Sequence, residues 1–407
     1  MGRSAITSVL SVAGTCLFIA VLGRLGRADS PGVLDSTVAQ PQSSHRIPFQ
    51  LNGNRIALDV RVNGSGPLSF VLDTGASATI LDTDQAERLG LRLEGIRDAN
   101  APADLRRANG VSLSLPGVDL GDQAILVRDL DSAQLLHSGR HLHGVLGYDF
   151  FRQFVVQIDY VAKALTLSDP KTYEYRGTGE SIPLQLFRVP FALAKITTVG
   201  TDAVERLLFI DSGSNATVNY ETEEVPSKTI EQEQVDLSNN ITTTITATFG
   251  RAKSVQLGSF VVADPVVGLQ HEFTIPGLPR TTKGIVGGGL LRRFRVIFDY
   301  DHKRMILEPN QHLHDPFEFD MSGAWVVSDK PNSNGFRITS VMPNAPALEA
   351  GLRAGDVIVA VDEQPAEELT VEQLTLEIFR QEGLILELKV KRGNEILERR
   401  LKLRRLI

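Results

Sequence analysis

The sequence predicts a mostly β protein, made of two similar β-rich lobes and a third, α+β domain. Two observations lead to this prediction: an internal repeat in the middle of the chain, and a change in sequence character near Phe317. The 407 residues are enough for two or three domains, and 42% apolar with 22% charged residues is a normal globular composition. The net charge of −7 is mild, so we expect no nucleic-acid partner.

The first 28 residues have the pattern of an export signal. Arg3 precedes an almost uncharged apolar run from Ala5 to Leu22, and Ala28 offers a small residue for cleavage. An uncleaved anchor is the alternative, because a membrane span needs about 20 apolar residues. We therefore expect residues 1–28 to be a signal peptide or an anchor, with membrane contact only if the segment is retained.

The only cysteine, Cys16, lies inside that segment. The mature chain would then have no disulfide, no thiol nucleophile and no thiolate metal site. An exported protein of this size without disulfides fits bacterial export, so we predict the periplasm, the cell envelope or secretion as its location. Residues 29–46, rich in polar side chains and Pro, are typical of a flexible linker.

Residues 47–175 and 182–312 repeat one unit. Its landmarks recur in the same order about 135 to 140 residues later: an Ile-Pro strand start (Ile47, Ile182), an apolar strand ending in Asp (Asp73, Asp211) and an apolar strand ending in Gly (Gly147, Gly287). Runs of Val, Ile, Leu and Phe between Gly, Pro and Asp turns predict strands at 56–62, 68–72, 111–115, 124–128, 154–160 and 164–167. Short helices are expected at 83–89 and 149–153.

Each unit carries an Asp-Thr/Ser-Gly motif at the end of an apolar strand, at Asp73 and at Asp211. The strand delivers the carboxylate, and the glycine lets the backbone turn close to the acid. One such motif is typical of an ordinary turn. Two of them, each followed about 70 residues later by a Gly-ended strand, indicate a paired site.

On these residues the chain resembles the pepsin-like and retropepsin-like aspartic peptidases, over roughly residues 46 to 310. The resemblance implies two acid-protease β-barrel lobes and a catalytic pair, Asp73 and Asp211, which shares one proton and activates a water without metal or cofactor. It also implies supporting roles for the loop and strand residues around the pair, namely Thr74, Gly75, Ser212, Gly213, Ser214, Gly147 and Gly287.

The chain departs from the family pattern at two places. Ala76 stands where pepsin-like enzymes usually carry a hydroxyl group, and losing that donor to the ionised acid should raise the lower apparent pKa of the pair. The family geometry places substrate-covering flaps near 100–109 and 236–244, but the first stretch has no tyrosine like that of the pepsin flap.

Residues 318–407 resemble a bacterial PDZ domain. The segment from Gly351 to Ile358 contains Gly-Leu-x-x-Gly-Asp, and a strand precedes it and a helix at 371–381 follows it. The resemblance implies a loop that offers backbone N–H groups to a peptide C-terminus, at Ser322, Gly323, Ala324 and Trp325, with the peptide added as a strand. Trp325 has an equal alternative as a core or edge aromatic residue.

Together these features predict an exported aspartic endopeptidase that acts on polypeptides, with a PDZ-like domain for peptide or substrate recognition. Two alternatives remain at this point. A retropepsin-like homodimer would use Asp73 only, and a non-catalytic scaffold of the cell envelope would bind exported polypeptides without cleaving them. Intact motifs at both Asp73 and Asp211 favour the enzyme, because a pure binding protein has no need of two buried acids.

Overall fold

The structure is a computed structural model that describes residues 45–96, 101–130, 142–198, 200–223, 229–236, 243–273, 278–329 and 335–407, with the side chains of 231–247 left out. The predicted signal segment lies outside these residues. So does the predicted linker, except for its last two residues, which open the first strand at His45. Within the described ranges, no helix has the length and apolar character needed to cross a membrane.

The first lobe is built on an eight-stranded sheet with the order β2-β3-β4-β9-β5-β8-β7-β6. Its strands are β2 Gln50–Asn52, β3 Arg55–Val62, β4 Leu68–Leu72, β5 Ile80–Asp82, β6 Leu93–Gly95, β7 Arg106–Leu115, β8 Val118–Arg128 and β9 Gly144–Leu146. Along β3, buried Val60 and Val62 alternate with exposed Asp59 and Arg61, the period of a strand with one face in the core. A further pairing of β3 with β7 curls this sheet toward a barrel.

The second lobe repeats this plan in a ten-stranded sheet. Its strands are β13 Gln185–Leu186, β14 Pro190–Thr197, β15 Val204–Asp211, β16 Val218–Glu221, β17 Thr229–Asp236, β18 Thr243–Arg251, β19 Ser254–Leu257, β20 Phe260–Ala263, β21 Val266–Gln270 and β22 Gly284–Gly287. β15 pairs parallel with β22 as β4 does with β9, and β16 pairs parallel with β21 as β5 does with β8. The sequence repeat is therefore a repeat of topology.

A six-stranded sheet joins the two lobes. Its strands, in spatial order, are β1 His45–Pro48, β11 Ala164–Ser168, β10 Val155–Asp159, β23 Phe294–Asp299, β24 Arg304–Pro309 and β12 Glu180–Pro183. β10 of the first lobe pairs antiparallel with β23 of the second, in the register Val156↔Phe298. One continuous hydrophobic core runs through both lobes and this sheet, so the lobes form a single packed unit.

The short helices lie close to where the sequence predicts them. They are α1 Thr83–Arg88, capped by the Asp82 carboxylate, α2 Tyr148–Gln153, and α3 Gly288–Leu291. Phe151 of α2 stacks on Tyr300 of the second lobe, with ring centroids 5.5 Å apart. α2 thus helps to fix the relative position of the lobes.

The C-terminal domain has a separate hydrophobic core and a separate sheet. Its elements are β25 Ala324–Ser328, β26 Phe336–Val341, α4 Pro346–Glu349, β27 Val357–Val361, β28 Gln364–Pro365, a 3₁₀ turn Ala366–Glu368, α5 Gln373–Ile378, β29 Ile385–Arg392 and β30 Glu395–Lys402. α5 is wound as a wide π-type turn and is shorter than the predicted helix at 371–381. β25 is an edge strand.

The C-terminal domain packs against the lobes at several points. β17 lies beside β25 and β26, and Arg251 of the second lobe donates to the carbonyl oxygens of Phe317 and Ile407. The Arg293 guanidinium covers the ring of Phe317 at 3.5 Å from its centroid, a cation–π contact at the start of the domain. The domain is thus docked on the lobes rather than tethered at a distance.

Candidate active site

The two Asp-Thr/Ser-Gly loops meet at the interface between the lobes. Asp73 directly follows β4 and Asp211 ends β15, and each is braced by the parallel strand beside it. The Asp73 N–H donates to the Leu146 carbonyl at 3.0 Å, and Asp211 pairs in register with Gly287. Because both aspartates are at most 2% exposed, their carboxyl groups are removed from bulk water.

The hydroxyl residues that follow the two aspartates lock the loops together. Thr74 Oγ1 donates to the Ile210 carbonyl at 2.7 Å and accepts from the Ser212 N–H at 2.9 Å. Ser212 Oγ in turn donates to the Leu72 carbonyl at 2.9 Å and accepts from the Thr74 N–H at 3.0 Å. All four hydrogen bonds cross between the lobes and are buried, so each loop fixes the position of the other.

The glycines bring the backbone close enough to hold the carboxylates. The Gly75 N–H donates to Asp73 Oδ1 at 2.6 Å, and the Gly213 N–H donates to Asp211 Oδ1 at 2.9 Å. A Cβ atom on Gly75 would lie 2.8 Å from Asp211 Oδ1 and 2.9 Å from Asp73 Oδ1, so the two acids converge on this point. No residue with a side chain fits there without moving a carboxylate.

The supporting glycines act from behind the loops. A Cβ on Gly147 would collide with the Ala78 carbonyl oxygen, and one on Gly287 would collide with that of Ala216. Ser214 lies directly after the second loop, where its Oγ accepts from the Ala216 N–H at 3.2 Å. The structure therefore places all of these sequence-predicted supports around the pair.

Burial raises the pKa of Asp73 well above its usual range, and the charge of Asp211 and a hydrogen bond with it raise that pKa further. The Gly75 N–H and the Arg55 guanidinium act in the opposite direction and lower it. Two carboxyl groups in this arrangement hold one proton between them as a coupled pair. The raised pKa of Asp73 favours its protonated form over that of an exposed aspartate.

Arg55 is a site residue that the motif search missed. It begins β3 of the first lobe, is 6% exposed, and its Nε donates to the Gly213 carbonyl at 2.8 Å, behind the Asp211 loop. Its neighbour Asn54 makes two hydrogen bonds with Asn215, from its backbone N–H to Oδ1 at 3.0 Å and from Nδ2 to the carbonyl at 2.7 Å. A buried arginine at the start of a strand is unusual, because arginine side chains are mostly exposed. Arg55 in the apolar-rich β3 segment is therefore the sequence feature that could have pointed to this residue.

The predicted flaps are described only in part. In the first stretch, Asn100 lies outside the described residues, and Arg106–Ala108 pair with β6. In the second, β17 and β18 form a long hairpin with the register Asp236↔Thr243, whose tip at 237–242 lies outside the described residues.

The predicted peptide-binding loop of the C-terminal domain is occupied by a carboxylate of the chain itself. Asp320 accepts hydrogen bonds from the N–H and hydroxyl of Ser322 and from the N–H of Gly323 at 2.6 Å. Burial raises the pKa of Asp320 to about 6, against the lowering effect of these hydrogen bonds and of Arg380. Ala324 donates to Ser322 Oγ at 3.0 Å, and Trp325 is half-buried on the edge strand β25.

Two stretches of the chain match models of known protein families. Residues 58–150 match the family model described as aspartyl protease, and residues 319–391 match that of the PDZ domain. Both parts of the resemblance predicted from the sequence are thereby confirmed.

Two individual proteins show a more limited similarity to this chain. A stretch of 70 residues is 37% identical to serine protease HTRA1 of Xenopus tropicalis, covering 17% of this chain and 15% of that protein's length. The structure is also similar to that of the aspartic proteinase from Irpex lacteus, with a TM-score of 0.41 and 13% identity over 67% of this chain and 99% of the other.

Proposed function

We propose that this chain, whose residues 58–150 match the aspartyl protease family model and whose residues 319–391 match that of the PDZ domain, is an exported aspartic endopeptidase. In this proposal a single chain supplies both catalytic acids. The observation that carries the proposal is the reciprocal bonding of Thr74 and Ser212, which holds the Asp73 and Asp211 loops face to face. A protein that only binds peptides gains nothing from two converging buried acids, because burying them destabilises the fold.

In the proposed reaction, Asp211 accepts a proton from a bound water while the water oxygen bonds to the peptide carbonyl carbon. Asp73, which holds the shared proton, hydrogen-bonds the carbonyl oxygen as negative charge develops on it. The C–N bond then breaks, and the leaving nitrogen takes up a proton from the pair. Gly75 and Gly213 keep both carboxylates oriented throughout through their N–H groups.

The arrangement favours one active chain over a homodimer of the first lobe. Asp73 already has a partner acid within its own chain, and β10 and β23 fuse the two lobes into one sheet. A homodimer would have to displace the second lobe from Thr74 and break four buried hydrogen bonds.

For the PDZ domain we propose recognition of exported polypeptides. Its edge strand β25 can accept an added peptide strand, and peptide C-termini would have to displace Asp320 from the N–H groups of Ser322 and Gly323. Export remains part of the proposal. Fractionation of cells that express the full chain, with N-terminal sequencing of the recovered protein, would find a start near Asp29 if the signal is cleaved.

The test of the proposed activity is hydrolysis of an unbiased peptide mixture by the full chain. Asp73→Asn and Asp211→Asn should each lower the rate by about a thousandfold or more, because neither variant retains a pair able to share a proton. Asp59→Asn, an exposed aspartate on β3, is the matched control and should be fully active. Peptide cleavage that persists in both site variants would contradict the proposal.

A further inference from the structure

The turn between β2 and β3 contacts both the second aspartate loop and the PDZ domain. A Cβ on Gly53 would lie 2.6 Å from Leu376 Cδ1 and 3.0 Å from Glu372 Cγ, both in the PDZ domain, and 3.1 Å from Asn215 Oδ1. Gly53 has φ +60°, in the left-handed region that favours glycine, and a side chain there would have to displace the Leu376 side chain. The turn is thus wedged between α5 and the loop that carries Asp211.

Arg55 forms the polar contact across this junction. Its Nη1 lies 3.9 Å from Glu372 Oε1, the residue just before α5, while its Nε donates to the Gly213 carbonyl at 2.8 Å. The two side chains are only 7% and 4% exposed. A buried guanidinium with a carboxylate on one side and a loop carbonyl on the other has little freedom to move.

We propose that Arg55 and Glu372 form a positioning pair through which the PDZ domain sets the geometry of the Asp211 loop, so that the PDZ domain is part of the catalytic unit and not only a module for recruiting substrates. This inference rests on the proposed peptidase function and adds how that site is regulated: displacement of α5 releases Arg55 from Glu372 and loosens the loop that holds Asp211.

The charges around the pair predict opposite effects of removing its two members. Among the residues that the structure describes, Asp73 interacts electrostatically with Asp211, with Arg55 from β3 and with Tyr300, which follows β23. Glu372 faces Arg55 from the PDZ domain. The Arg55 cation lowers the pKa of Asp73, and the Glu372 anion offsets part of that cation's field. Removing Arg55 should therefore raise the pKa of the acid pair, while removing the Glu372 charge should lower it.

The experiment compares Arg55→Met and Glu372→Gln with wild type in the full chain, using a short peptide that has no recruitment by the PDZ groove. We expect kcat/KM to fall at least about fivefold in both variants, mainly through kcat. The pH–rate profile should move to higher pH in Arg55→Met and to lower pH in Glu372→Gln. A merely structural role would reduce both activities without moving the profiles apart.

Two further variants serve as controls. Glu377→Gln makes the same chemical change on the exposed side of α5 and should match wild type in rate and pH profile. Arg55→Lys keeps the charge but not the planar Nε donor, so it should keep the wild-type profile with a reduced kcat. Melting curves identify any variant that fails to fold. The folded variants then still show whether Arg55 and Glu372 act on the acid pair.

A second readout needs no turnover. In protein labelled with ¹³C at the aspartate carboxyl groups, the Asp73 and Asp211 signals, assigned with Asp73→Asn and Asp211→Asn, titrate directly. Opposite shifts in Arg55→Met and Glu372→Gln would support the positioning pair even if no peptide were cleaved, in which case only the proposed function would fall. A Glu372→Gln protein with the titration and pH profile of Glu377→Gln would overturn the inference.

Discussion

The two aspartate loops have the same backbone hydrogen bonds and the same supporting strands, which together we call the frame, but they differ in their surroundings. Ala76 N donates to the Asp73 carbonyl and Ser214 N to the Asp211 carbonyl, both at 3.3 Å, and each loop has the same parallel supporting strand. Beyond the frame, the first loop has Ala76 where the second has Ser214. The backbone of the loop is thus common to both repeats, while the side chain at the position of Ala76 and Ser214 differs between them.

Arg55 makes the second difference between the lobes. β2 and β3 pair in the register Leu51↔Ile56, and β13 and β14 in the register Leu186↔Pro190, so Val189 occupies the place of Arg55 in the second lobe. Val189 packs in an apolar cluster with Phe191 and contributes no charge. The Asp211 loop is thus anchored by a cation from the first lobe, and the corresponding residue of the second lobe cannot anchor the Asp73 loop in that way.

A homodimer of identical lobes would have to place the same groups around both acids. In a single chain the two sides can differ, and here the Asp211 side is connected to the C-terminal domain through Arg55 and Glu372.

The largest loss of stability and activity should come from removing the reciprocal hydrogen bonds of Thr74 and Ser212, the lock between the two loops. Thr74→Val removes one donor and one acceptor and leaves the Ile210 carbonyl and the Ser212 N–H unpaired in the interior. We expect the free energy of unfolding to fall by about 2–4 kcal/mol and peptide hydrolysis to fall at least about tenfold. Urea unfolding and kcat/KM measure the two effects.

Thr74→Ser keeps the hydroxyl group and is the control for that variant. Ser212→Ala removes the corresponding bonds from the other lobe and should act in the same direction. If Thr74→Val and Ser212→Ala both kept normal stability and rate, the lock would not be what holds the acids together.

A smaller effect should appear in the pH dependence of stability. The pKa of Asp73 is raised on folding above its unfolded value of about 3.9, so the folded state binds the proton more tightly. The free energy of unfolding must then fall as pH rises from the unfolded to the folded pKa. Asp73→Asn should therefore be more stable than wild type at pH 7, and the difference should shrink below about pH 4.

Chemical denaturation at a series of pH values measures this difference. Asp59→Asn again serves as the exposed control and should follow the wild-type curve. A constant gap between wild type and Asp73→Asn at every pH would mean that the pKa of Asp73 is not raised.

The smallest effect should come from making the lobes more alike. Ala76→Ser adds to the first loop the hydroxyl group that Ser214 provides in the second. A hydrogen-bond donor stabilises the ionised form, so it decreases the first of the two apparent pKa values of the pair. The acid limb of the pH–rate profile should therefore move to lower pH. On that limb we expect the rate to rise about two- to tenfold, and Ser214→Ala should move the limb the other way. An acid limb unmoved by Ala76→Ser would show that this hydroxyl position does not act on the pair.

The sequence predicted the frame of the site because the frame is local and repeated. The strands that end in Asp73 and Asp211, the supporting Gly147 and Gly287, and the helices near residues 83 and 149 all follow from short patterns. The resemblance to two known families implied roles for these residues, and those roles stay predictions.

The rest depends on contacts between distant parts of the chain. Arg55 meets Gly213 across 158 residues, and Glu372 belongs to another domain, so no local pattern brings them together. Asp320 was missed because it precedes the predicted loop, and its carboxylate turns back onto the N–H groups of Ser322 and Gly323. Packing between domains and competition for hydrogen-bond donors have no periodicity that a sequence pattern could show.

The most direct test of the central claim, that one chain supplies both acids, is the rate of peptide hydrolysis per chain over a wide dilution series, with Asp73→Asn and Asp211→Asn also measured as a mixture. We expect a rate per chain that does not change with dilution, and a mixture that stays inactive because each chain carries one inactive half of its own site. A rate per chain that falls on dilution as dimers dissociate, or a mixture that regains activity, would contradict that claim.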